Sequence, residues 1–127
     1  MSSAAAQDLV RNPPKPEAEV YIVQPADGAT VSSPVRVVFG LKGMGVAPAG
    51  VEREGTGHHH LLIDTCLPDL DRPIPADDKH RHFGGGQTET LLELAPGKHT
   101  LTLLLADHRH VPHDPAVYSK TIEITVE

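Results

Sequence analysis

Three consecutive histidines, His58, His59 and His60, stand immediately before an apolar run in the stretch GTGHHHLLID. The triplet is internal, so it is not an expression tag, which would be terminal. Because side chains alternate along a strand, His58 and His60 point to one face and His59 points to the other. Two residues spaced in this way lie roughly 6.6 Å apart along the strand. Both imidazoles can then reach one metal ion through bonds of about 2 Å.

The chain contains nine histidines in 127 residues, and most of them fall in three groups. The groups are His58-His59-His60, His80-x-His82 and His108-x-His110-x-x-His113. This grouping predicts a metal site with the following candidate ligands: His58, His60, His80, His82, His108, His110 and His113. The alternative is a hydrogen-bond network that joins loops. His59, which faces away from its neighbours, and the isolated His99 are interpreted as structural residues.

Acidic and small residues accompany these groups. Asp64, Asp107 and Asp114 lie near histidines in the sequence and could ligate the ion or hold a ligand ring through its second nitrogen. The triplet Gly84-Gly85-Gly86 would let the backbone pass close to the site.

The donor type narrows the choice of metal. Imidazole ligands suit Cu(II), Zn(II), Ni(II) or non-haem iron, and the Irving–Williams order favours a copper ion, with zinc as the alternative. A blue-copper centre needs a cysteine with two histidines and usually a following axial methionine. No methionine follows Cys66, so that centre is excluded. Cys66 is a candidate soft ligand, but a lone cysteine after a strand is more typical of a small buried residue.

Composition excludes several classes of protein. The net charge is −6 at pH 7, and no cluster of Lys or Arg offers a surface for nucleic acid. No apolar run approaches the roughly 20 residues of a membrane span. The single cysteine excludes an internal disulfide. Aromatic residues make up 3% of the chain and Trp is absent, so the core must be built from Val, Leu and Ile.

The first part of the chain differs from the rest. Pro13, Pro14 and Pro16 predict a flexible tail or linker over residues 1–18, followed by a single domain over residues 19–127. The Ala4-Ala5-Ala6 run is typical of the region around a signal-peptidase cut. We therefore expect a periplasmic protein whose export signal has been replaced by Met1.

Alternating apolar residues and turn signals predict an all-β fold. Strands are expected over the following ranges: 19–25, 35–41, 58–64, 87–94, 98–107 and 119–127. Short strands without a helical period are typical of a small antiparallel immunoglobulin-like β-sandwich. The segments 42–57 and 67–86 are predicted to be long loops, and both flank the histidine triplet, which favours a functional role.

Five stretches together resemble the bacterial domain of unknown function 4399 family. They are FGLKGMGVAPAG, GTGHHHLLID, IPADDKHRHFGGGQTET, PGKHTLTLLLADHRHVPHDP and SKTIEITV, and they span about residues 37 to 126. The resemblance implies that these motifs belong to one domain and that the protein is exported, but it implies no activity. His58-x-His60 also looks like the strand motif of copper–zinc superoxide dismutases, which is an analogy of fold alone.

These observations favour a periplasmic metal-binding protein that acts as a carrier, buffer or chaperone for copper or zinc. Its partners would be the metal ion and another periplasmic metalloprotein, and the ion would be released as imidazoles become protonated below about pH 6. One alternative is a redox or hydrolytic enzyme with a three-histidine metal site. The other is an interaction module without metal.

Overall fold

The computed structural model describes residues 10–127. The Ala4-Ala5-Ala6 run and the first half of the predicted tail therefore lie outside the described residues. Within this range the chain forms nine strands. They are β1 (Glu19–Gln24), β2 (Thr30–Val31), β3 (Val35–Lys42), β4 (Gly45–Val46), β5 (Thr56–Ile63), β6 (His80–His82), β7 (Glu89–Leu92), β8 (Gly97–Ala106) and β9 (Ile122–Val126).

The strands form two sheets. One has three strands in the order β1-β3-β7, and the other has the order β2-β9-β8-β5-β4 with β6 also paired to β5. Most pairs are antiparallel, whereas the short strands β2 and β4 pair in parallel with β9 and β5. The all-β fold is thus confirmed, with two parallel pairs that an entirely antiparallel prediction did not include. The immunoglobulin-like topology stays a prediction.

The main core lies between the inner faces of the two sheets. Val37 and Phe39 of β3 belong to the same buried cluster as Leu61 of β5 and Leu103 and Leu105 of β8. Burying one such side chain contributes about 1.5–3 kcal/mol. As the composition indicates, the cluster consists mainly of Val, Leu and Ile.

All six predicted strands are present, each within a few residues of its expected bounds. The strands β2, β4 and β6 are additional, and each contains only two or three residues. Such short pieces show no hydrophobic period, so two of them lie inside segments predicted to be loops.

The residues before β1 touch the domain. Lys15 forms an ion pair of 2.7 Å with Glu54, and the Asn12 side chain donates a hydrogen bond to Asp107. The domain boundary at residue 18 remains a prediction. Between residues 10 and 127, no helix has the length and apolar character needed to cross a membrane.

Candidate metal centre

The candidate site lies on the outer face of the larger sheet, away from the main core. In the pairing of β5 with β8, His58 lies opposite Ala106 and His60 lies opposite Leu104. Directly opposed residues share a face of the sheet. Leu104 and Ala106 form a small second core with Leu62 and Ile74. The two histidines are therefore buried beneath loops and not in the inter-sheet layer.

The third ring comes from the turn that follows β8. The backbone N–H of His110 donates to the carbonyl of Asp107 at 2.9 Å, and the N–H of Asp107 donates to the carbonyl of Val111 at 3.0 Å. His110 has a φ of 64°, in the left-handed region that few non-glycine residues adopt. This turn reverses the chain and directs the His110 ring toward β5.

The rings of His58, His60 and His110 converge. His58 Nε2 lies 3.0 Å from His110 Nδ1, and His60 Nε2 lies 3.1 Å from the same atom. One ligand nitrogen from each ring falls within 4.8 Å of the other two. A tetrahedral metal with bonds of about 2.0–2.1 Å holds its ligand nitrogens roughly 3.3 Å apart. The triad is therefore close to the spacing that a bound ion requires.

Hydrogen bonds alone do not account for this convergence. A neutral imidazole nitrogen carries either one proton or one lone pair. His110 Nδ1 therefore cannot make full hydrogen bonds to both His58 and His60. The remaining Nδ1 atoms of His58 and His60 are buried and have no hydrogen-bond partner among the described residues. A shared cation would use all three converging lone pairs.

The environment keeps these rings neutral. Burial, followed by the nearby rings of His110 and His82, lowers the pKa of His58 from 6.5 to about 4. Burial, followed by the neighbouring imidazoles, lowers the pKa of His60 to about 2. Burial also lowers the pKa of His110, with a contribution from His82 and opposition from Asp107. Neutral imidazole is the form that binds metal ions.

His82 lies beside the triad. It is the cross-strand partner of His60, and its ring centroid is 4.4 Å from that of His60 and 4.6 Å from that of His110. His82 Nε2 donates to the carbonyl of Pro75 at 2.6 Å. If the ring is neutral, Nδ1 therefore carries the lone pair. His82 is not part of the convergent set, but its ring is close enough to lower the pKa values of the three triad rings.

The other predicted ligands lie apart from the triad. His80 Nδ1 is bonded to Asp77 at 2.7 Å, which fixes the ring at the start of β6. His108 faces Glu52 at 4.0 Å, and the extended His108/His110 pair considered from the sequence is replaced by the turn. His113 is buried beside Gly57, where an added Cβ would lie 3.2 Å from its ring. His108 and His113 line a cavity of about 360 Å³ whose lining does not include the triad.

The two histidines interpreted as structural occupy other places. His59 is fully buried on the inner face, where its ring centroid lies 5.1 Å from that of Phe39. His99 bonds through Nδ1 to Asp64 at 2.7 Å and through Nε2 to the carbonyl of Ala95 at 2.8 Å. Cys66 is exposed, so the expectation of a buried cysteine was wrong. The strand ends at Ile63, and Cys66 already lies in the following loop.

The neighbouring acids and glycines have separate roles. Asp64 holds the ring of His99, the buried Asp107 holds the turn that carries His110, and Asp114 is exposed. A Cβ on Gly84 would lie 3.1 Å from the Ala49 side chain and 3.9 Å from the His110 ring. The close backbone passage expected at the glycine triplet therefore occurs at Gly84.

The sequence did not reveal two contributors. The Pro75 carbonyl orients His82, and Asn12 contacts the turn that carries His110. Pro75 lies within a predicted loop, and Asn12 lies within a predicted tail. No sequence signal connects either residue to a histidine, because the contacts depend on how these segments cross the sheet.

A family model described as a domain of unknown function, DUF4399, matches residues 37–127. The chain belongs to this family. Every residue of the histidine triad, and His82 beside it, lies within the matched range of the DUF4399 domain. Neither the search of curated proteins nor the search of solved structures gave a match.

Proposed function

We propose that this DUF4399 domain binds a transition-metal ion through His58, His60 and His110. Copper is the first choice and zinc the second. The observation that supports this function is the meeting of three imidazole nitrogens, from a strand and a distant turn, within 4.8 Å of one another. A set of nitrogen donors without thiolate matches the preferences of these two ions, and the Irving–Williams order favours copper.

The proposed role is that of a carrier, buffer or chaperone. Asp107 already accepts hydrogen bonds from Arg109 and from the Val111 amide, and Asp64 is bonded to His99. Both carboxylates therefore hold structural hydrogen bonds away from the triad nitrogens, which favours reversible coordination over general-base catalysis. Reversible coordination requires only the imidazoles.

A periplasmic location and transfer of the ion to another metalloprotein are parts of the same proposal. The small-residue run Ala4-Ala5-Ala6 and the export that the family resemblance implies support that location. Fractionation of cells that express the native gene would test it, because the proposal requires the mature chain in the periplasmic fraction.

Metal analysis tests the binding itself. Untagged protein, purified without chelator or nickel resin, should contain copper or zinc, and metal-free protein should bind Cu(II) in a competition titration. His110→Ala should weaken metal binding by at least about 100-fold. Mutation of a residue that only hydrogen-bonds to a ligand already reduces metal affinity by about 10- to 100-fold. His80→Ala is the matched control, because its ring is bonded to Asp77 outside the triad.

The expected copper spectrum is specific. Electron paramagnetic resonance of the Cu(II) protein should show splitting from several imidazole nitrogens, and the pattern should change in His110→Ala but not in His80→Ala. Wild-type protein that binds neither ion, or equal losses in the two variants, would contradict the proposed site.

A further inference from the structure

We propose that residues 10–12 form a clamp that fixes His110 in its metal-binding position, with Asn12 and Asp107 as positioning residues. This inference rests on the proposed metal function. Neither positioning residue contacts the triad nitrogens. Each would act through the turn that carries His110.

The Asp107 carboxylate organises this turn. Asp107 is only 3% exposed, and its Oδ1 accepts hydrogen bonds from the backbone N–H of Arg109 at 2.8 Å and of Val111 at 3.2 Å. Its Oδ2 accepts from the Arg109 guanidinium at 2.8 Å. A buried carboxylate needs such donors to remain charged, and here they come from both sides of His110.

The clamp completes the set of donors and closes over the turn. Asn12 Nδ2 donates to Asp107 Oδ2 at 2.9 Å, and the carbonyl of Asn12 accepts from the Asp114 N–H at 3.0 Å. The Arg109 guanidinium also donates to the carbonyl of Val10 at 2.8 Å. Asn12 therefore contacts the chain on both sides of His110, at Asp107 and at Asp114.

Arg11 adds contacts on the far side of the turn. Its guanidinium donates to the carbonyl of Pro112 at 3.2 Å and to the carbonyl of His113. Arg11 also pairs with Asp71 at 3.2 Å, an exposed acid of the loop before β6. The clamp is thus attached to two of the segments that cover the outer face of the larger sheet.

The His110 conformation explains why a clamp is needed. A histidine in the left-handed region is strained and persists only where surrounding contacts determine it. Two backbone hydrogen bonds, to the Asp107 carbonyl and from the Ile74 N–H, hold His110 directly. A loosened turn would leave this conformation and carry the ring away from His58 and His60.

The test compares two single substitutions in the same segment. Asn12→Ala removes the contact with Asp107, whereas Lys15→Ala removes only an exposed ion pair with Glu54. Asn12→Ala should weaken Cu(II) binding by about 10-fold or more, in the range known for outer-shell partners. Lys15→Ala should bind like wild type. Asp107→Asn, which keeps the shape of the side chain but removes its charge, should resemble Asn12→Ala.

Spectroscopy separates positioning from a general loss of stability. In Asn12→Ala the imidazole nitrogen splitting of bound Cu(II) should change while the thermal unfolding midpoint stays near that of Lys15→Ala. In metal-free protein, the amides of His110 and Val111 should exchange with deuterium faster in Asn12→Ala than in the control.

The outcomes distinguish the two proposals. Copper binding and amide exchange that are equal in Asn12→Ala, Lys15→Ala and wild type would overturn the clamp and leave the metal site intact. Wild-type protein that binds neither copper nor zinc would overturn the metal function, and with it the role of the clamp in affinity.

Discussion

The two ends of the β5–β8 strand pair use histidine in opposite ways. At one end His99 has both ring nitrogens bonded, one to the Asp64 carboxylate and one to the Ala95 carbonyl. Both partners are acceptors, so both nitrogens donate when the ring is charged, and the hydrogen bond that His99 donates to Asp64 raises the pKa of His99. At the other end the triad nitrogens face one another, and burial lowers the pKa of each ring.

This difference shows what separates a structural histidine from a ligand. An imidazole whose two nitrogens face acceptors favours its protonated form, which has no lone pair for a metal ion. Imidazoles that are buried and aimed at one another stay neutral, and their facing nitrogens cannot all be satisfied by hydrogen bonds among themselves. Histidine spacing in the sequence does not distinguish the two, whereas the identity of the facing atoms does.

The largest effect should come from removing the triad donors of β5. The His58→Ala/His60→Ala double variant should lose its copper, with affinity reduced by well over about 100-fold because two ligands and not outer partners are lost. The His99→Ala variant should keep its copper. Elemental analysis after dialysis of both variants, with circular dichroism to confirm folding, measures this contrast. Retention of copper by a folded double variant would mean that the convergent rings are not the site.

Acid should destabilise the metal-free protein through the buried triplet. Burial keeps the pKa of His58 and His59 near 4 in the folded protein, whereas the ordinary value is 6.5. As the pH falls below about 6.5, the unfolded chain takes up protons that the folded chain cannot. The free energy of unfolding should then fall, by up to about 1.4 kcal/mol per pH unit for each such histidine.

Urea unfolding of the metal-free protein between pH 7 and pH 4.5 measures this loss. A His59→Leu variant, which replaces the ring packed on Phe39 with an apolar group, should show a shallower dependence on pH. An unfolding free energy that does not change over this interval would contradict the buried, neutral state of the triplet.

A smaller effect on copper binding is expected from removing the ring of His82, which lies beside the triad. His82→Ala should weaken copper binding by about 10-fold, since the ring packs against His60 and His110 without joining the convergent set. A loss as large as that of His110→Ala would instead make His82 a fourth ligand through its Nδ1. Copper titrations of the two variants under the same conditions decide between these roles.

The smallest effect should come from removing the pair that His99 forms with Asp64. His99→Gln should lower the free energy of unfolding by about 1 kcal/mol or less, because the pair with Asp64 is partly exposed. The pKa of His99 is raised in the folded protein. The contribution of the His99–Asp64 pair to the free energy of unfolding is therefore complete below pH 6.5, and it is lost as the pH rises through the pKa of His99 in the folded protein. Wild type and His99→Gln should therefore differ in acid and converge in base. A difference that grows with pH would contradict a charged His99.

Alternation predicted the part of the site that a single strand supplies. His58 and His60 fall on one face and His59 on the other because the side-chain period of a strand is two. The strands themselves were predictable for the same reason. Pairing between short segments was not predictable. In the observed register His82 lies opposite His60 and reaches the triad, whereas His80 lies opposite Leu62 and its ring is hydrogen-bonded to Asp77.

The third donor shows the limit of sequence patterns most clearly. The segment HRH at 108–110 has the same spacing as HRH at 80–82, yet the second forms a strand and the first forms a turn. The turn depends on the Asp107 carboxylate and on its donors, and one of these donors, Asn12, comes from the start of the described chain. Contacts over such a separation have no periodic signal.

The edge of the larger sheet beside the triad is covered in two pieces. β4 pairs with residues 56 and 57 of β5, and β6 pairs with residues 60 to 62. Strands of two and three residues offer little template for another chain to extend. Strand β5 is buried and almost continuously covered, so it can carry three adjacent histidines without starting edge-to-edge aggregation. If the imidazoles were exposed, metal ions could bridge separate molecules and promote such aggregation.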